Sequence, residues 1–165
     1  MGTFTEACGI NPKNPRAYQG RIKLENPSKY IGVYDSEKGL IYRSKLELTY
    51  TKKLDLNPAI KAWIYEPDFV KISYFNHILG KMQNYHVDYY VEMLHAGELK
   101  KYIVEVKSFS GTVCPDRQNF KSEKTYKKAI ADNTIIEAKK RAAVQWCAGK
   151  DIKFMFVTEK TLYAK

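Results

Sequence analysis

Cysteine is scarce in this chain. Three cysteines, Cys8, Cys114 and Cys147, lie far apart in 165 residues. No CxxC pair and no Cys/His spacing occurs, which argues against a thiolate zinc site. An odd number of scattered thiols fits a reducing cytoplasm better than a disulfide framework. No apolar run approaches the roughly 20 residues that span a bilayer, so no membrane partner is expected. Residues 1–6 carry neither a basic leader nor an apolar stretch, and a secretory signal is not expected. Internal repeats and low-complexity segments are missing too. Acid is in short supply: 18 acidic residues against 28 basic ones leave a net charge of +10. A basic domain of this size points to a polyanionic partner, with nucleic acid the first candidate.

What is present reads as one globular domain. Hydrophobic residues make up 44% of the chain, and thirteen tyrosines and two tryptophans argue against disorder. Residues 1–28 are expected as an irregular basic arm, broken by Asn11-Pro12, Asn14-Pro15, Gly20 and Asn26-Pro27, and residues 29–165 as a single domain. Residues 30–34 and 40–43 read as a short hairpin. Ser44-Lys45-Leu46-Glu47 has capping-box spacing, so a helix is expected from Ser44 to about Leu56, stopped by Asn57-Pro58. Strands are expected over 60–65 and 70–75, then a turn through Gly80, in an antiparallel meander. Two helices are expected over 120–131 and 134–148, the second capped by Asn133 or Thr134. The apolar run 152–158 reads as a buried strand entered by a crossover.

The stretch that carries chemistry is 85–107. It reads as a hairpin of two apolar and aromatic runs, 85–94 and 99–106, joined at His95-Ala96-Gly97-Glu98. Asp88 lies on the first run, and the second ends Val104-Glu105-Val106-Lys107. Residues i and i+2 of a strand share a face, so Glu105 and Lys107 point one way and Val104 and Val106 the other. Strand pairing would bring Asp88 near Glu105. Two carboxylates and a lysine at one sheet end suit a hard divalent cation and an activated water. Glu47 has two readings at this stage, capping its helix or pointing a carboxylate at the sheet. Trp63, Trp146 and Cys147 read as core, and His77, His86 and His95 as outside the chemistry.

Asp88 followed by Glu105-Val106-Lys107 resembles the PD-(D/E)XK nuclease pattern, with Val87 where many members have proline. A longer resemblance runs through Tyr42-Arg43-Ser44 with Glu47, Leu54-Asp55-Leu56-Asn57-Pro58, Trp63 and Glu66-Pro67. It continues through Tyr85, Asp88, Ile103–Lys107, Asn133, Lys139, Trp146-Cys147 and Thr158-Glu159. These residues resemble the head-completion nuclease family of tailed bacteriophages. The resemblance implies an α/β, three-layer restriction-endonuclease-like core with a central mixed sheet flanked by helices. It implies a Mg²⁺-dependent endodeoxyribonuclease, Mn²⁺ substituting, that acts late in head assembly on packaged DNA before neck and tail joining. Asp88, Glu105 and the Val106 carbonyl would hold the metal, with Glu47 a further ligand. Lys107 would orient water or neutralise a phosphate oxygen, and Lys139, rather than Lys140, would complete the site. Arg43, Lys121, Lys124, Lys140 and Arg141 are the expected DNA contacts. Portal or neck proteins are the implied partners, in the host cytoplasm or on the virion. A double-strand cut would call for two active sites, which leaves a homodimer open. A non-catalytic head–tail vertex protein of the same fold and another PD-(D/E)XK nuclease, such as a transposase subunit or a restriction or junction-resolving enzyme, are the alternatives.

Overall fold

The computed structural model describes residues 18–164; the expected arm over residues 1–17 lies outside the described residues. Four strands form the central sheet in the order β3-β6-β7-β8. They are β3 (Ile60–Tyr65), β6 (Tyr89–His95), β7 (Glu98–Val106) and β8 (Lys153–Val157). The first three run antiparallel and β8 runs parallel to β7, so the sheet is mixed. Helix α1 (Lys45–Leu56) and the short α3 (Glu159–Leu162) cover one face, and α2 (Glu123–Cys147) covers the other. The expected three-layer α/β core is therefore observed.

Each face of the sheet carries its own cluster, as strand alternation dictates. Trp63, Tyr89, Val91, Val104 and Val157 point toward α1 with Leu54 and Leu162. Tyr90 and Ile103 point toward α2, where they meet Ala138, Ala143 and Cys147. The small residues of α2 let the helix approach the sheet closely, and Trp146 is half-buried beside them. Between β6 and β7 the turn has two residues, Ala96 at φ +50° and Gly97 at φ +80°. Positive φ at both positions is the type I′ geometry whose twist matches that of the strands.

Several elements differ from expectation. Strand β2 (Leu40–Tyr42) pairs with β1 (Gly20–Ile22), not with residues 30–34. Residues 20–28 are thus not an irregular arm. Leu24 enters the α1-side core, and the backbone N–H groups of Glu25 and Asn26 donate to the buried Asp55 carboxylate at 2.6 and 2.9 Å. The meander is also interrupted. Strands β4 (Ile72–Asn76) and β5 (Lys81–Tyr85) pair with each other in a separate two-stranded ribbon laid against α2, and β3 pairs with β6 across that insertion. The run 85–94 is accordingly divided, with Tyr85 ending the ribbon and Tyr89 starting the central strand. The two expected late helices are one. No glycine or proline falls between Pro115 and Gly149, so nothing breaks the backbone ladder. Asn133 donates its side-chain amide to the Val113 carbonyl instead of capping, and Thr134 bonds back to Ile130. Strand β8 follows the crossover as expected but lies at the sheet edge and is fully buried only at Val157.

Asp55 joins the N-terminal segment to α1 through charge-assisted bonds that water cannot replace in a buried setting. Asp55→Ala is expected to cost about 2–4 kcal/mol, since two N–H groups lose an ionised acceptor. Urea unfolding of the variant against wild type checks this; an unchanged midpoint would contradict it.

Candidate active site

The site lies where β7 ends. The pairing of Tyr89 with Val104 and Tyr90 with Ile103 sets the register of β6 against β7. Extended by one rung, it sets Asp88 opposite Glu105, on the face that carries α2. Directly opposed residues hold their Cβ atoms about 5 Å apart, so the register forces two carboxyl groups together. Asp88 is fixed on both sides. Its carbonyl accepts from the Glu66 N–H at 2.7 Å, and its carboxylate Oδ2 accepts from the Val106 N–H at 2.7 Å. The Lys107 N–H, one residue on, turns the other way to the Val157 carbonyl of β8 at 3.0 Å. N–H and C=O of one strand residue share a direction, so the Val106 carbonyl faces the Asp88 side.

Burial and mutual repulsion dominate the electrostatics. Burial, and then the neighbouring Glu105 carboxylate, push the Asp88 carboxyl well above the usual carboxylate range. Burial raises Glu105 as well, opposed by the hydrogen bond from Tyr85 and by the positive charges of Lys139 and Lys107. The Tyr85 hydroxyl donates to Glu105 Oε2 at 2.9 Å. Lys139 reaches in from α2, its ammonium 5.1 Å from the centre of the Tyr85 ring and 5.6 Å from that of Tyr74. Lys107 shares the Glu105 face and is half-buried. Gly111 lies so close that an added Cβ would sit 3.3 Å from the Lys107 Cγ.

Glu47 enters from the first turn of α1 and serves both expected roles in part. Ser44 caps the helix by accepting from the Glu47 N–H at 3.0 Å. The Glu47 carboxylate does not return to Ser44 as a capping box would. Its Oε2 accepts from the Arg43 N–H at 2.7 Å and from the Tyr65 hydroxyl at 3.2 Å. Its charge raises both Asp88 and Glu105. Glu47 is thus an acid of the same neighbourhood as Asp88 and Glu105, although among the described residues no three His, Cys, Asp or Glu side chains form a ready-made metal cluster. The Tyr65 hydroxyl and the Arg43 N–H hold the Glu47 carboxylate in place.

The expected DNA contacts do not converge. Arg43 stands at the site rim, where it pairs with Glu66 and donates to the Tyr65 hydroxyl at 2.9 Å. Glu66 itself adopts φ +49° at the end of β3, a left-handed conformation uncommon outside glycine. Lys140 and Arg141 follow Lys139 and are exposed, but helical rotation carries them off the face that Lys139 presents. Lys124, also exposed, stands in the first turn of α2, about 24 Å of helix rise from Lys140, and the exposed Lys121 precedes that helix. The sequence assigns no role to the hydroxyls of Tyr65 and Tyr85, and it favours a structural role for Glu66 over one in support of the site. Tyr85 was visible as a motif position, but only the ribbon between β3 and β6 brings its hydroxyl to Glu105.

The donor set suits a divalent cation. Asp88, Glu105 and the Val106 carbonyl are all oxygen donors, which hard cations such as Mg²⁺ prefer. The two carboxyl groups also repel each other with no cation between them. The repulsion has a measurable consequence in metal-free protein. An acid whose folded pKa is raised contributes stability at low pH, and that stability is lost as pH rises through the folded value. Metal-free protein is therefore expected to lose stability between about pH 5 and about pH 8, and Asp88→Asn to flatten that fall. Thermal unfolding across that range in EDTA checks it; a parallel fall in the variant would assign the loss elsewhere.

The family model described as TnsA-like endonuclease N terminal matches residues 57–159. The matched span contains Asp88, Glu105, Lys107 and Lys139, and excludes Arg43 and Glu47. No curated protein matches the chain.

Proposed function

The chain belongs to the TnsA-like endonuclease family and carries a nuclease domain of the PD-(D/E)XK type. From that premise we propose that it is a Mg²⁺-dependent endonuclease that hydrolyses phosphodiester bonds in double-stranded DNA, with Mn²⁺ able to substitute. The observation that carries the proposal is the Asp88–Glu105 rung, two half-buried carboxyl groups opposed across a sheet with the Val106 carbonyl beside them. A pure DNA binder gains nothing from acids facing its polyanion.

Asp88, Glu105 and the Val106 carbonyl would hold the cation, which would supply an acidified water and offset charge building on the phosphate. The residues of the chain do the rest. Tyr85 keeps Glu105 turned toward Asp88. Lys107 and Lys139 bring positive charge to the Glu105 face, where phosphate oxygens bind and the attacking water is oriented. Glu47, held by Tyr65 and the Arg43 backbone, adds a third negative charge at the rim and strengthens the draw on the cation. Arg43, Lys121, Lys124, Lys140 and Arg141 make sequence-independent contacts along the DNA backbone.

Late phage head assembly is the setting supported by the resemblance that runs from Tyr42 to Leu162. Packaged DNA would then be the substrate, and portal or neck proteins the neighbours, in the host cytoplasm or on the virion. A second setting, a nuclease acting as a transposase subunit, is favoured by the family match. Deleting the gene distinguishes them: filled heads that fail to join tails support the first, and loss of mobile-element excision supports the second.

Plasmid and linear DNA are expected to be cut with Mg²⁺ and spared with EDTA. Glu105→Gln should lower the rate on the order of a thousandfold. Tyr85→Phe should lower it about ten- to a hundredfold, with recovery as Mg²⁺ is raised, because a supporting hydroxyl and not a ligand is lost. Metal-independent cutting, or full activity in Glu105→Gln, would overturn the assignment.

A further inference from the structure

The β4–β5 ribbon has two faces of opposite character. Ile72, Tyr74 and Tyr85 turn inward and pack with Ala138 and Ala143 of α2. The outward face is not covered. Phe75 and Met82 are direct cross-strand partners there, and Ile78 and Leu79 occupy the connecting turn. These four side chains are between 44% and 59% exposed and form one apolar patch at the ribbon's end.

The patch is presented by a built turn. Asn76 is buried, and its side-chain oxygen accepts from the Ile78 and Leu79 N–H groups at 3.0 and 3.1 Å. Its side-chain nitrogen donates to Gln83 at 2.7 Å, and Gly80 takes the φ of +63° that closes the loop. Ile78 and Leu79 are thereby held outward on a fixed backbone. The charge of the ribbon is of one sign. No acid occurs between Asp68 and Asp88, while Lys71 and Lys81 stand near its two ends. At the base, Lys71, Ser73, Asn84 and His86 line a cleft of about 570 Å³ together with the acids Glu66 and Asp68, so the cationic part of the ribbon is its tip, beside Lys81.

We propose that the outward face of this ribbon binds duplex DNA beside the cut. Lys81 beside the tip takes a backbone phosphate, and Ile78 and Leu79 wedge between base pairs. The proposal rests on DNA being the substrate of the Asp88–Glu105 site. Charge complementarity selects this occupant: an apolar tip beside Lys81, on a stretch that carries no acid from residue 69 to residue 87, suits a kinked polyanion. The five residues of a strand rise about 17 Å, which spans about five base pairs, so the wedge acts about half a turn of DNA from the cut. Separating a base step costs least where DNA is mismatched, branched or flexible, and the wedge therefore favours such substrates.

The test uses full-length Glu105→Gln protein and a duplex carrying 2-aminopurine at successive positions. Binding is expected to raise the fluorescence at a restricted set of positions. Adding Ile78→Ser and Leu79→Ser should abolish that rise and weaken binding about tenfold, with an unchanged melting temperature because both side chains are exposed. In the catalytically intact background, the same two changes should erase any preference for a mismatched over a paired duplex. A tip variant that binds and unstacks DNA as its parent does would overturn the wedge while leaving the nuclease reading intact. So would a variant whose only change is lost self-association in sedimentation, which would make the tip a protein interface. Failure of wild type to cut any DNA would overturn the nuclease reading and the wedge together.

Discussion

Two carboxyl groups are held face to face because the β6–β7 register leaves them no other place. The register is fixed by what lies on the other rungs. Tyr89 and Val104 must face α1, and Tyr90 and Ile103 must face α2, or both cores lose their contents at once. A slip of one residue would send every apolar side chain of β6 to the wrong face. The unfavourable Asp88–Glu105 rung is thus a by-product of a strongly favoured pairing, and its cost is spread over the core. Local hydrogen bonds reduce that cost: Val106 donates to Asp88 and Tyr85 to Glu105, while Lys107 and Lys139 supply positive charge.

The layers on either side deliver the remaining groups. Helix α1 begins at the site edge, so its first turn brings Glu47 and its capping residue to the rim. Helix α2 passes behind the sheet and contributes Lys139 near its middle, well away from the fraying that affects helix ends. The inserted β4–β5 ribbon has two tasks. Its inner face fills the gap between α2 and the sheet, and its last residue, Tyr85, carries the hydroxyl that orients Glu105. Continuing through His86 and Val87 to Asp88, it couples a structural insertion directly to the acid at the centre of the site.

Much of this was legible in the sequence, for definable reasons. Asp88, Glu105 and Lys107 follow from strand alternation and a two-residue turn, both local rules. The Ser44 cap and the Asn57-Pro58 stop bounded α1 for the same reason, and one lysine of α2 was identified at the site. Pairings that depend on distant partners were not legible. Strand β2 chose β1 over its nearer neighbour, and the ribbon separated from the central sheet, because the outcome depends on which faces α1 and α2 cover. Helix α2 was divided in expectation at Asn133, a residue that favours caps in isolation but bonds to Val113 in the fold. Tyr65 was not singled out, and Tyr85 was a motif position without a role, because a tyrosine hydroxyl gains meaning only from the acceptor it meets.

A divalent cation held by Asp88 and Glu105 is expected to displace the proton that burial and mutual repulsion keep on the pair. Calorimetric titration of Mg²⁺ into the protein, repeated near neutral pH in buffers of different ionisation enthalpy, tests it most directly. Binding heats are expected to vary with the buffer, reporting protons released on metal binding, and to lose that variation in Asp88→Asn. Heats independent of the buffer in wild type, or no Mg²⁺ binding at all, would contradict it.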